Sequence, residues 1–240
     1  MKLGVMQPYF FPYFGYFALI NQVDFFVLLD TVQFIKHGWI ERNQILKASD
    51  GEPLYIKAPL VKHPLNTSIR DIRIRDNEPW REKIFAQLAP YKKKAPHYNE
   101  VIALLTEIFE LNTDSIVEIN RRALEIVCQY LRIGTPIGVW SEMNIEIDQP
   151  RAPDEWALNI SKALGARTYI NPTAGKHLFN NAKYRSAGID LRFIEVNPVQ
   201  YNQRLTEEFV PNMSILEILM CCDLEEIHSM LHNYRITAKC

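Results

Sequence analysis

Cysteine is scarce in this 240-residue chain, and its four cysteines are not spaced as a metal site or a disulfide framework would need. Cys221 and Cys222 are adjacent, Cys128 stands alone and Cys240 is the last residue, so no pair has the Cys-x-x-Cys spacing of a zinc site. The motifs Gly-x-Ser-x-Gly, His-Glu-x-x-His and Gly-x-Gly-x-x-Gly are also lacking, and the six histidines are scattered. We therefore expect free thiols in a reducing compartment and no metal site.

Charge of one sign and long apolar runs are lacking as well. The formal net charge is −1, which gives no global basic field to draw nucleic acid or an anionic membrane. The densest apolar run, residues 25–29, is far shorter than the ~20 residues that a membrane-spanning helix needs. Residues 1–8 lack the apolar core and cleavage site of a signal peptide. These absences predict a cytoplasmic protein with no membrane insertion and no genomic nucleic-acid partner.

What the chain does contain is an alternation of strand and helix patterns. Residues 3–6 and 25–29 are apolar runs separated by a helical stretch at 14–20, and such continuous apolar strands indicate a parallel sheet covered on both faces. The alternation returns with strands near 137–141, 167–170 and 191–196, and helices near 153–164, 175–187, 213–221 and 223–233. The sequence predicts one three-layer α/β domain over residues 1–240 with a mainly parallel sheet.

An insertion at about 43–110 interrupts this alternation. Residues 44–48 and 53–58 flank an Asp-Gly turn and predict a β-hairpin. Residues 68–75 alternate apolar and polar side chains, which predicts an exposed strand. Helices are expected near 78–88, 98–110 and 114–132, so the insertion is partly β and partly helical.

Polar and aromatic side chains crowd the segments that follow the predicted strands, where ligands bind in open parallel sheets. Residues 7–16 follow the first strand and hold two prolines and five aromatic residues before Gly15. The phenylalanines are expected to be core, whereas tyrosines stack on a ligand and still offer a hydroxyl. The candidate ligand-binding residues of this loop are Gln7, Tyr9, Tyr13 and Tyr16. The start of the next helix adds N–H groups suited to phosphate or carboxylate.

The loop at 30–43 follows the second strand and is the densest in chemical groups. Asp30 is the candidate general base or amine anchor, and Lys36 and Arg42 are candidate phosphate ligands. Gln33, Trp39 and Asn43 complete the candidate set of this loop. The alternative is that Asp30 caps a turn and that both cations are surface residues.

A third group of candidates lies in the C-terminal half. Asn171, Gly175 and Lys176 occupy a turn between a strand and a helix that could cradle a phosphate, although the spacing is not that of a P-loop. Segments after the last strand, with the candidates Tyr201, Gln203 and Ser214, could close the same cleft. We expect Gln7, Tyr13, Gln33, Trp39 and Arg42 to line this cleft together.

These residues carry a resemblance to a known family. The run from Gln7 to Tyr16, followed by Asp30, Gln33, Lys36, Trp39 and Arg42-Asn43, resembles the WbqC-like family, and the likeness extends to Gly175, Tyr201, Gln203 and Ser214. The resemblance implies surface-polysaccharide (O-antigen) biosynthesis, with transfer of an acyl or glycyl group to an amino sugar.

Strand, Tyr13-Phe14-Gly15-Tyr16, helix and strand also resemble the layout of the HIGH-type (HUP) nucleotidyltransferases and of pantothenate synthetase. Those enzymes bind ATP phosphates through two histidines at the helix start, and both positions are tyrosine here. A tyrosine is neutral, which argues against ATP as a cofactor by this route.

Three functions follow from these observations. The first is a transferase that forms an amide on a nucleotide-linked amino sugar, with Asp30 and Lys36 as the catalytic residues. The second is an ATP-using, adenylate-forming ligase, and the third is a non-catalytic nucleotide- or carbohydrate-binding protein. The sequence leaves the donor, the acceptor sugar and the oligomeric state open.

Overall fold

The computed structural model describes residues 1–238 and contains a six-stranded sheet. Five parallel strands lie in the order β5-β2-β1-β6-β7, and β8 pairs antiparallel with β7 at the edge. The bounds are β1 Lys2–Met6, β2 Phe25–Leu28, β5 Ile137–Val139, β6 Thr168–Pro172, β7 Asp190–Val196 and β8 Tyr234–Ala238. The mainly parallel sheet expected from the apolar runs is therefore confirmed. Counting the parallel strands in chain order gives 3-2-1-4-5, the order of doubly wound sheets.

Helices cover both faces of this sheet, which confirms the three-layer α/β class. The bounds are α1 Phe14–Gln22, α2 Trp80–Leu88, α3 Tyr98–Phe109, α4 Ile116–Tyr130, α5 Pro153–Ala163, α6 Asn181–Ser186, α7 Ile215–Cys221 and α8 Leu224–Leu231. The larger core contains α1, α3, α4 and α7, together with Phe26 and Ile170 of the sheet. The smaller core joins α5 and α6 to Leu3, Val5 and Phe193 on the opposite face. Strands with both faces buried explain why β1 and β2 are continuously apolar.

The insertion packs on the larger core. Its hairpin consists of β3 Arg42–Leu46 and β4 Pro53–Lys57, paired from Arg42↔Lys57 to Leu46↔Pro53. Gly51 in the turn has φ +72°, a conformation that favours glycine. Ile45, Leu46 and Ile56 from the hairpin are buried in the same core as α1.

Two local expectations from sequence are wrong. The segment 68–75 is not a strand, because Ile69, Ile72 and Ile74 are all buried and the chain turns through a 3₁₀ helix at Ile69–Asp71. The helix expected at 175–187 is divided into a 3₁₀ helix at Thr173–Leu178 and α6. The edge strand β8 was missed, although its five residues alternate apolar and polar side chains.

Two further findings concern the cysteines and the length of the apolar helices. Cys128, Cys221 and Cys222 are buried free thiols, while Cys240 lies outside the described residues. Within residues 1–238, no helix is both long and apolar enough to cross a membrane.

Candidate functional site

The site lies where the direction of strand order reverses. β1 pairs with β2 on one side and with β6 on the other, and the helices that follow β1 and β6 pack on opposite faces of the sheet. The β1–β6 pairing ends at Gly4↔Ile170, whereas β1–β2 continues to Met6↔Leu28 and β6–β7 to Pro172↔Ile194. The two central strands therefore part at their carboxyl ends, which is the usual ligand position in such sheets.

A cavity of about 520 Å³ opens beside this point, within the 300–1,000 Å³ range of small-molecule sites. It is bounded by the start of α1, by the ends of β6 and β7 and by residues 197–213. Its polar and aromatic lining residues are Tyr13, Phe14, Thr173, Glu195, Asn197, Gln200, Tyr201, Phe209 and Asn212. Of the described lining residues, Glu195 is the one charged residue, so no lysine or arginine lines the cavity. Such a lining suits a ligand that combines hydrogen-bonding groups with an apolar face.

Tyr13 forms one wall together with Gly15. Tyr13 precedes the first turn of α1 in extended backbone conformation, and its ring lies over Gly15 so closely that a Cβ there would be 2.5 Å from Tyr13 Cε2. Only glycine leaves room for the ring in this position. Burial, and more weakly Tyr9, raises the pKa of Tyr13, so its hydroxyl is neutral and can both donate and accept a hydrogen bond.

Tyr201 and Phe209 form the opposite wall, with ring centroids 5.5 Å apart. The loop that carries them is closed by Gln203, whose Nε2 donates to the Val210 carbonyl while its Oε1 accepts from the Val210 N–H, both at 2.7 Å. Burial raises the pKa of Tyr201, and the nearby Glu217 raises it further. Gln203 thus shapes the wall without lining the cavity itself.

Glu217 lies behind this wall on α7, next to the lining residue Ile218. Its side chain is fully buried, and neither carboxylate oxygen has a hydrogen-bond partner. Burial raises the pKa of Glu217 to about 8. The Tyr91 hydroxyl and the Leu46 N–H lie close enough to Glu217 to oppose this rise, and the Leu46 N–H also donates to the Tyr91 oxygen at 3.1 Å. A buried carboxyl without a partner is uncommon in folded proteins and is found most often near functional sites.

The expected catalytic residue Asp30 lies elsewhere. It follows β2, is buried, and accepts hydrogen bonds from the backbone N–H and the hydroxyl of Ser141 at 3.0 and 2.5 Å. Ser141 follows β5, so this carboxylate fastens the ends of two neighbouring strands. This environment fits the alternative that Asp30 has a structural role as a cap. Both of its carboxylate oxygens accept hydrogen bonds from Ser141, so neither is free of a protein partner.

The remaining residues of the loop at 30–43 also stand away from the cavity. Arg42 donates to the carbonyls of His37 and Gly38 and stacks its guanidinium 4.2 Å from the Tyr55 ring centroid. Gln33, Lys36 and Trp39 are exposed, and Gln33 donates to the Leu65 carbonyl at 2.7 Å. Of the five side chains expected to share one cleft, Tyr13 lines the cavity and Gln7, Gln33, Trp39 and Arg42 do not.

Asn43 and Ser214 hold the loop that leads to Tyr13. Asn43 Nδ2 donates to the carbonyls of Phe10 and Phe11 at 3.1 and 2.9 Å, and Ser214 Oγ donates to Phe11 at 2.9 Å. Phe11 has φ +40°, a strained conformation for a bulky residue, and these two donors on its carbonyl support it. Asn120 adds donors to Pro8 and Ile40 at 2.8 and 2.9 Å. Sequence reasoning missed Asn120, although its amide stands on the apolar face of a predicted helix.

The other candidates support the strand ends. Tyr16 is fully buried and donates to the Gln7 carbonyl at 2.8 Å, with the partly buried Tyr9 ring 5.6 Å away. Gln7 is itself half-buried at the end of β1. The phenylalanines at positions 10, 11, 14 and 17 are buried, as expected.

At the end of β6, Asn171 Nδ2 donates to the Tyr169 hydroxyl at 2.7 Å. Asn171 Oδ1 occupies the space that a side chain at position 175 would need, since a Cβ built on Gly175 would lie 2.6 Å from this oxygen. Lys176 Nζ is 5.9 Å from the Phe193 ring centroid. Asn171 and Gly175 therefore shape the turn that carries Thr173 to the cavity.

The fold is three-layer α/β, and a cavity of the size of small-molecule sites lies at the topological switch point of its sheet. The model of the WbqC-like protein family matches residues 7–229, and the chain belongs to that family. A relative from Mycobacterium tuberculosis, named uncharacterized protein Rv1507c, is 27% identical over 220 residues, covering 91% of this chain and 92% of that protein. No solved structure matches the chain.

Proposed function

We propose that this protein is an enzyme of surface-polysaccharide synthesis that transfers an acyl or glycyl group to the amine of a nucleotide-linked amino sugar. The resemblance to the WbqC-like family supports the pathway, and the cavity supports the substrate class. The observation that carries the proposal is the lining, which combines aromatic rings, amides and hydroxyls with a single carboxylate and no cation among the described residues. Amides and hydroxyls pair with sugar hydroxyl groups, and aromatic rings cover the apolar face of a sugar ring.

Glu195 takes the role that the sequence suggested for Asp30. Amide formation needs a neutral amine, so a carboxylate must hold the ammonium group and accept its proton. Glu195 lies at the end of β7, is exposed and lines the cavity, whereas both oxygens of Asp30 are engaged by Ser141. The first proton would pass from the substrate ammonium to the Glu195 carboxylate, and the neutral nitrogen would then attack the donor carbonyl. As the oxyanion collapses, the bond between the acyl carbon and the donor's carrier breaks, and the carrier leaves with the electron pair and takes up the second proton of the nitrogen.

The start of α1 is the place for negative charge. Phe14 and Gly15 line the cavity in the first turn, where backbone N–H groups favour an anion. There they would stabilise the oxyanion that forms when the amine attacks the donor carbonyl, or contact a phosphate of the nucleotide. We do not assign the phosphate to Arg42, because its guanidinium is engaged by two backbone carbonyls.

An adenylate-forming ligase is a second candidate, and the 3-2-1-4-5 strand order with a helix directly after β1 favours it. One feature weighs against it: Tyr16, which stands where a phosphate-binding histidine would be, is buried and its hydroxyl donates to the Gln7 carbonyl. ATP consumption therefore becomes one arm of the test.

The test is incubation of the purified protein with nucleoside diphosphate amino sugars and acyl or glycyl donors, with mass spectrometry to detect the amide. We expect Glu195→Gln to bind the amino sugar but to lose most of its turnover, and Glu225→Gln, an exposed carboxylate on α8, to behave as the wild type. Full turnover by Glu195→Gln would contradict the assigned role. Pyrophosphate release that requires ATP would favour the ligase, and tight sugar binding without turnover of any donor would favour a binding protein.

A further inference from the structure

One part of the surface combines positive charge with exposed apolar side chains. We call it the insertion surface, and it comprises residues 31–40 and 53–70. These two segments contain no aspartate or glutamate, although the whole chain has a net charge of −1. Their charged residues are all basic: Lys36, Lys57, Lys62 and Arg70. The balanced charge of the chain as a whole therefore conceals a local cationic region.

The insertion surface also holds five of the nine large apolar side chains that are exposed in the described part of the chain, namely Ile35, Trp39, Tyr55, Val61 and Leu65. Leu65 is 73% exposed, Ile35 62% and Trp39 42%. An isolated exposed leucine is ordinary, but several in one region mark an interaction surface.

Backbone and side-chain contacts hold the two segments side by side. Gln33 Nε2 donates to the Leu65 carbonyl at 2.7 Å, and the Phe34 N–H donates to the Thr67 carbonyl at 2.9 Å. The rings of Phe34 and His63 meet edge to face at 5.1 Å. Ile35 and Lys36 directly follow Phe34 in the chain, and Lys62 directly precedes His63, so the contacts bring the two segments together beside these residues.

Acidic residues stand at the borders of these segments but do not pair with their lysines. Glu41 accepts the backbone N–H of His37 at 3.1 Å, Asp71 accepts the Ser68 hydroxyl at 2.8 Å and lies 3.9 Å from Arg70, and Glu52 is exposed next to β4. Among the described residues, the ion pairs include none with Lys36, Lys57 or Lys62, so these lysines retain their attraction for an anionic partner.

We propose that the insertion surface docks peripherally on an anionic lipid bilayer. Lysines attract the headgroup phosphates, tryptophan prefers the membrane interface, and isoleucine and leucine enter the outer acyl region. Two other partners fit less well. Nucleic acid gains nothing from exposed leucine and isoleucine, and a second copy in a two-fold dimer would place lysine against lysine.

The experiment is co-sedimentation of the full chain with vesicles of phosphatidylcholine, either pure or mixed with phosphatidylglycerol. We expect binding to the mixed vesicles that weakens as salt is raised. Lys36→Ala combined with Lys62→Ala should lower partitioning by about five-fold for each lysine. Leu65→Ser combined with Ile35→Ser should lower it on the order of ten-fold or more. The matched controls are Lys92→Ala with Lys93→Ala and Leu178→Ser, which are exposed residues outside the insertion surface.

Each result supports or overturns the proposal. Selective loss in the surface variants, with unfolding midpoints unchanged, supports it. Absence of wild-type binding at low salt, equal binding to pure phosphatidylcholine, or equal loss in the control variants overturns it. Self-association in gel filtration that Leu65→Ser abolishes, without vesicle binding, would assign the surface to a second copy of the chain.

Discussion

Replacing Glu217 by glutamine tests whether the buried carboxyl behind the cavity is as poorly compensated as its surroundings indicate. The side chain is fully buried, neither oxygen has a hydrogen-bond partner, and burial raises its pKa from the ordinary 4.5 to about 8. The folded protein therefore holds this proton more tightly than the unfolded chain does. Glutamine has nearly the same shape and cannot ionise, so it removes the ionisation and little else.

The direction and size of the effect follow from proton linkage. Because the folded pKa is the higher one, the contribution of Glu217 to stability is most favourable below pH 4.5, declines as pH rises from 4.5 to 8, and stays low above pH 8. Each tenfold difference in proton affinity corresponds to about 1.4 kcal/mol, so the full decline is on the order of 5 kcal/mol. At pH 7.5 most of it, about 4 kcal/mol, is already lost.

The assay is urea unfolding of the wild type and of Glu217→Gln between pH 4.5 and 8.5, with Glu225→Gln as the exposed control. The two proteins should be similarly stable near pH 4.5, and the variant should be more stable by several kcal/mol at pH 7.5. Parallel stability curves across this range would refute the reasoning, because they would mean that Glu217 ionises as easily in the folded state as in the unfolded chain.

Three further variants probe the supports of the cavity. Gly15→Ala should displace the Tyr13 ring, because the new Cβ would lie 2.5 Å from it. The affinity for a nucleotide-linked amino sugar, measured by calorimetry, should fall at least about ten-fold. Unchanged affinity would mean that Tyr13 does not form a wall of the site. Arg42→Ala should lower the free energy of unfolding in urea by about 1–3 kcal/mol, since its guanidinium binds backbone carbonyls. The affinity for the amino sugar should stay the same, and a loss of affinity without a loss of stability would make Arg42 a ligand-binding residue. Asn43→Ala leaves the Phe10 carbonyl without its side-chain donor and the Phe11 carbonyl with Ser214 alone, and should cost about 2–3 kcal/mol. The exposed Gln33→Ala should cost under about 1 kcal/mol, and equal costs would contradict this.

The fold could be predicted from sequence wherever one physical signal dominated. β1 and β2 are buried on both faces, so their residues are apolar without alternation, and this pattern is hard to produce in any other way. At 68–75 the spacing of apolar and polar residues misled. Three buried isoleucines separated by polar residues fit a turn packed on α4 as well as they fit a strand. β8 carried a weak signal that was overlooked, since its five residues alternate apolar and polar side chains and pair antiparallel with β7.

Only part of the candidate site was predicted from sequence: Tyr13 and Tyr201 line the cavity, whereas the residues of the loop at 30–43 do not. Polar residues crowd the loop at 30–43, which sequence reasoning took as a sign of ligand binding. In the structure several of them satisfy backbone groups, as Arg42 and Asn43 do, because an irregular segment inside a domain must pair its own carbonyls. Glu195 was missed because it stands within a predicted strand. Glu217 left one usable signal, a lone carboxylate inside the apolar run of α7.

These supports also determine how the cavity responds to change. The loop that delivers Tyr13 is held by Asn43, Asn120 and Ser214, which come from three separate parts of the chain and all donate to its carbonyls. Losing Asn43 or Asn120 leaves a buried carbonyl of the loop without its side-chain donor, and losing Ser214 removes one of the two donors on the Phe11 carbonyl. Substitutions at these three positions should therefore lower stability and affinity together, because the loop and the Tyr13 ring shift as one. Replacement of a residue proposed to contact the ligand, such as Glu195, should lower turnover without lowering stability, and this difference separates the residues that build the cavity from those that act in it.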